Sequence, residues 1–78
     1  MLSFIYRMMR EFEIEHGMKP NVLHLNNEHF DRLRQDFMDP DNIEAIINRL
    51  DMEIVIEKTT LHPHLSWIES SYRKAASF

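Results

Sequence analysis

Pro20-Asn21-Val22-Leu23-His24-Leu25-Asn26-Asn27 is the stretch on which the fold turns. Proline at position 20 drives the residue before it towards extended geometry, and Val22, Leu23 and Leu25 suit a buried strand. The pattern predicts a strand over 21–25, with His24 alternating between the two leucines and so facing the other way. Asn26 or Asn27 then caps a helix running through Phe37. With Asn26 as the cap, Leu25 and Phe30 stand at the two positions that staple a helix to the chain preceding it. Phe30, Leu33 and Phe37 recur at helical spacing and give this helix one apolar face.

Upstream, residues 3–16 read as a helix: Ile5, Met8/Met9 and Phe12 share one side, and Gly17 and Pro20 end it. Adjacent Met8 and Met9 are not both expected to point inward, which leaves one of them, with Phe4 or Tyr6, for a partner. Downstream, Asp39-Pro40 predicts a third helix, Asp39 capping and Pro40 in the first turn, with Met38 and Ile43 at staple spacing. Ile43, Ile46, Ile47 and Leu50 form its stripe. Over 52–58, Met52, Ile54 and Ile56 alternate with Glu53, Val55 and Glu57, the pattern of a half-buried strand.

The tail reads two ways. Ser66-Trp67-Ile68-Glu69 fits a capping box and favours a helix from Ser66. Alternatively, His64 to Glu69 returns as a strand against 52–58. The whole chain, residues 1–78, is therefore expected to be one α+β domain, helix–strand–helix–helix–strand, closed by a strand or a helix.

Composition narrows the function. The 78 residues are 44% apolar and 28% charged, near the average for a globular protein, with nothing close to the roughly 18 consecutive apolar residues of a spanning helix. Nine basic residues against thirteen acidic ones give a net charge of -4. Without a cationic face, nucleic-acid binding is not expected. The first apolar run is short and broken by Arg7 and Arg10, and Glu11, Glu13 and Glu15 follow, so no targeting segment is read and a cytoplasmic location is expected. With no cysteine, thiolate chemistry, disulfides and Cys-ligated metals are excluded. A chain this short buries only about 60% of its unfolded surface, and self-association is the remaining route to stability.

Five histidines are the one oddity. An extended His62-Pro63-His64 points both rings to one side, a spacing able to hold a transition metal, with His24 or His29 as a third ligand and a carboxylate as a fourth. The plainer reading is of surface or capping histidines, and no cofactor is favoured. Asp36, Asp39, Asp41 and Glu44 cluster between two helices, where caps explain them better than acid–base work. The serines lie in no nucleophile elbow, and a single glycine cannot build a phosphate loop. The sequence thus favours a non-enzymatic interaction or assembly module, a homodimer or a subunit of a larger complex, over a metal-binding accessory protein using His62 and His64. Pairing of the 52–58 strand across a two-fold axis would bury Met52, Ile54 and Ile56, with Trp67 and Tyr72 as further anchors.

Overall fold

The structure, a computed structural model, describes residues 1–69. The chain runs α1 (Leu2–His16), β1 (Val22–Leu25), α2 (Asn27–Arg34), α3 (Ile43–Leu50), β2 (Glu53–Ile56) and β3 (His64–Ser66). The three strands form one mixed sheet in the order β2-β1-β3. β1 is central, parallel to β2 and antiparallel to β3. Parallel neighbours need a long return, and α2 with α3 provides it. The architecture is α+β.

Alternation sorts the sheet into two faces. Leu23 lies between Ile54 and Leu65, and Leu25 beside Ile56. Leu23 and Leu25 join Ile5, Leu33, Ile46, Leu50 and Met52 in one buried cluster, so all three helices contribute to the core on this face. His24 is flanked by Val55 and His64 on the opposite face. Met8 and Met9 depart from expectation: both are half-buried and both pack on the core. The long, unbranched thioether side chains can reach it from either flank of the helical stripe. Phe4 and Tyr6 remain exposed.

Helix ends follow local chemistry. Gly17 closes α1 at a φ of 71°, donating its N–H to Glu13 O, a geometry that glycine adopts without strain. Asn26 caps α2, its side chain accepting from His29 N at 2.8 Å while His29 Nδ1 accepts from Asn26 N at 3.4 Å. The staple is in place, since Leu25 is buried and Phe30 packs on the same core. α2 stops at Arg34, short of the expected Phe37. Asp36 N and Phe37 N bond to the carbonyls three residues back, which tightens the chain into turns while Phe37 still reaches the core.

The Asp39-Pro40 start is a correction. Asp39 caps a separate turn, accepting from Asp41 N at 3.3 Å, with Asn42 N bonded to Asp39 O. α3 begins four residues after Asp39, and Asn42 is its cap, accepting from Ala45 N at 3.1 Å. Met38 is fully exposed and makes no staple. The tail is a second correction. Ser66 ends a strand instead of capping a helix, and β3 pairs with β1, not with residues 52–58. Residues 67–69 have no regular structure, and the rest of the expected helix lies outside the described residues.

No side chain of its own first residues caps α1. Asp36 does so from a distance, accepting from Leu2 N at 2.8 Å beside the Met1 ammonium at 3.2 Å. The Leu2 amide, and after it the ammonium, hold the Asp36 carboxyl below its ordinary value of 3.8. A carboxyl depressed in the folded state adds stability above its unfolded pKa and loses it as pH falls through the folded one. Asp36→Asn is therefore expected to be less stable than wild type at pH 6, and the difference should shrink below about pH 4. Urea midpoints of both proteins across that range measure it; a pH-independent difference would refute the cap's charge.

Candidate functional site

Two features of the sheet are left over after the core is accounted for: a polar cluster on the face away from the core, and an open strand edge.

The cluster centres on His24, which its alternation with Leu23 and Leu25 turns away from the core. Glu57 follows β2 directly and continues the ladder, its N–H donating to Leu25 O at 2.7 Å. A turn over 57–60 then brings Thr60 N to Glu57 O, and Asn26 Nδ2 pins Thr60 O at 2.9 Å. The α2 cap thus also fixes the loop that carries Glu57. Asn21 sets the far end of β3: its N–H donates to Ser66 O, and its side chain exchanges two hydrogen bonds with the Ile68 backbone at 2.8 and 2.9 Å.

Within this frame His24 Nδ1 meets Glu57 Oε1 in a short contact. An ionised carboxylate only accepts, so Nδ1 carries the proton, and in the neutral ring Nε2 accepts from Ser66 Oγ at 2.8 Å. The His64 ring stacks on His24 with centroids 4.4 Å apart and planes 8° from parallel. Thr60 Oγ1 donates to the second Glu57 oxygen at 3.3 Å. The hydrogen bond from His24 holds the Glu57 carboxyl below its usual range, against partial burial that pushes the other way; charge on His24 and the Thr60 bond lower it further. The Ser66–His24–Glu57 chain has the connectivity that orients a general base. Ser66, however, ends an extended strand with its carbonyl taken by Asn21, not the sharp turn that presents a nucleophile beside backbone donors.

Of the two histidines that the sequence marks as metal ligands, His64 joins this cluster and His62 does not. His62 is exposed, and its carbonyl lies 3.4 Å from His64 Nδ1. His29 is spent on the α2 cap. Nothing in the sequence marks Glu57 or Ser66 as a neighbour of His24; only the strand register brings them together.

The edge belongs to β2. Glu53 N donates to Asn21 O and Glu57 N to Leu25 O, so odd positions of this strand face β1. The backbone groups of Ile54 and Ile56 consequently point away from it, and among the described residues no strand lies on that side. Val55 and Ile56 are 37% and 40% exposed, one on each face of the sheet. Among the anticipated interface residues, Met52 is buried in the chain's own core, Ile54 is half-buried against it, Trp67 is exposed, and Tyr72 lies outside the described residues. No helix among the described residues is long and apolar enough to cross a membrane.

Compared with protein-family models, with curated proteins and with solved structures, the chain has no match in any of the three.

Proposed function

We propose that the chain is a small non-enzymatic interaction and assembly module that pairs with a second copy of itself through the open edge of β2. The observation that carries this reading is the edge: the backbone groups of Ile54 and Ile56 face outward from a strand whose apolar side chains are also partly exposed. Such an edge is a template for another strand, and natural proteins blunt it with charge, proline or a bulge. Within β2 the sequence Glu53-Ile54-Val55-Ile56 supplies a single charge and no proline. A two-fold axis perpendicular to the sheet would set β2 antiparallel to its mate, double the sheet, and keep the core faces of both chains on one side. Val55 and Ile56 would then be covered from opposite faces. β3 suits the role less well, being three residues long with α1 packed beside it. A sheet of three short strands over a small core also gains most from such pairing.

The test is the mass of untagged protein by light scattering over a range of concentrations. Twice the 9.5 kDa chain mass at micromolar concentration supports the reading. A single-chain mass persisting to millimolar concentration defeats it.

A further inference from the structure

We propose that His24, Glu57 and His64 form a binding site for a divalent transition cation of the zinc class, tying all three strands together. One donor comes from β1, one from the residue after β2 and one from β3, and the three ligand atoms lie within 4.8 Å of one another. His24 and His64 are direct cross-strand partners, which fixes their Cβ atoms on one face at close range. Imidazole nitrogen and carboxylate oxygen are the donor set that zinc and its neighbours accept, and three protein ligands leave a fourth position for water.

The hydrogen bonds already present match the outer shell such a site needs. If the ion takes the place of the proton between His24 Nδ1 and the Glu57 carboxylate, the proton of the neutral ring moves to Nε2, and the 2.8 Å bond to Ser66 Oγ reverses so that Nε2 donates. The other Glu57 oxygen keeps its bond from Thr60. Partners of this kind hold metal ligands in orientation, and their loss commonly weakens binding about 10–100-fold. His64 also borders a surface groove of about 220 Å³ to which α1 contributes Glu11 and Glu15.

Two changes are required on binding: the short His24–Glu57 contact must open to admit the ion, and the His64 ring must turn. Ring nitrogen lone pairs lie in the ring plane, so two parallel stacked imidazoles cannot aim at one ion. Ligands at about 2.1 Å in a tetrahedron stand about 3.4 Å apart. His64 must therefore swing out of its stack and close roughly 1.4 Å of separation, a movement open to an exposed side chain on an edge strand.

Titration of the purified protein with Zn²⁺, followed by calorimetry, and with Co²⁺, followed by its visible absorption, tests the site. The expected result is one ion per chain, a tetrahedral cobalt spectrum and a zinc-dependent rise in melting temperature. His64→Ala, on the exposed edge, should weaken binding at least tenfold, and Glu57→Gln, which keeps the shape of the side chain, should do the same. His62→Ala should leave binding unchanged. Absence of stoichiometric binding at micromolar Zn²⁺ would overturn the proposal. So would equal losses in His62→Ala and His64→Ala, which would move the site to the loop pair, or full binding by Glu57→Gln in a protein whose circular dichroism is intact.

Discussion

Leu23→Ala is expected to cost about 2–5 kcal/mol of unfolding free energy, the range for truncating a fully buried leucine. The position explains the size of the effect. Leu23 is 0% exposed, lies on the central strand, and has Ile54 and Leu65 directly beside it on the same face. Helix residues Ile5, Leu33, Ile46 and Leu50 belong to the same cluster. Removing its side chain opens a void that neighbours on a hydrogen-bonded sheet are poorly placed to fill. Stability near 0.05–0.15 kcal/mol per residue gives a domain of this length roughly 4–12 kcal/mol in all, so the substitution removes a large share of it. Leu61→Ala, at an 80% exposed position, should change little. Urea unfolding of both variants, at one protein concentration so that any association is held constant, measures the difference. A loss below 0.5 kcal/mol for Leu23→Ala would mean that the core lies elsewhere.

Much of this fold is written in local patterns. The Leu23-His24-Leu25 alternation places two side chains in the core and one outside it, as the structure has them. The Asn26 cap with Leu25 and Phe30 about it is equally local, because each partner lies within four residues. Local signals fail where two of them compete. Asp39 has the chemistry of a helix cap and does cap a turn, but Asn42, three residues on, has the same chemistry and stands closer to the apolar stripe of α3. Ser66 heads a capping-box sequence, yet its backbone and hydroxyl are claimed by Asn21 and His24, more than forty residues away. A box that adds about 1 kcal/mol cannot outweigh a strand pairing together with the Asn21 latch. The cluster around His24 is the least legible part. His64 stands out as half of a short motif, but its working neighbours are set by register, and whether β3 pairs with β1 or β2 decides which histidine meets which carboxylate. Glu57 and Ser66 carry no signal as isolated residues.

The second large effect is expected at the β2 edge, where parity along the strand makes a sharp contrast. Proline removes one backbone N–H and fixes φ. At position 56 that N–H faces outward, so Ile56→Pro should leave the β1–β2 ladder standing while deleting a donor from each copy of the proposed interface. At position 55 the N–H faces β1, and Val55→Pro should break the sheet itself. A symmetric contact feels each substitution twice. At about 1 kcal/mol per backbone hydrogen bond the loss is near 2 kcal/mol, before any clash of the ring with the opposing strand. The dissociation constant should then rise roughly thirtyfold or more. Ile56→Lys, which places a charge on the same edge without altering the backbone, should act in the same direction.

Sedimentation equilibrium of the wild type and Ile56→Pro, side by side at matched concentrations, is the sharpest test of edge pairing. Two chains are expected for the wild type and one for the variant, with the far-ultraviolet circular dichroism of a folded α+β chain in both. Equal masses for the two folded proteins, whether one chain each or two, would contradict pairing through β2.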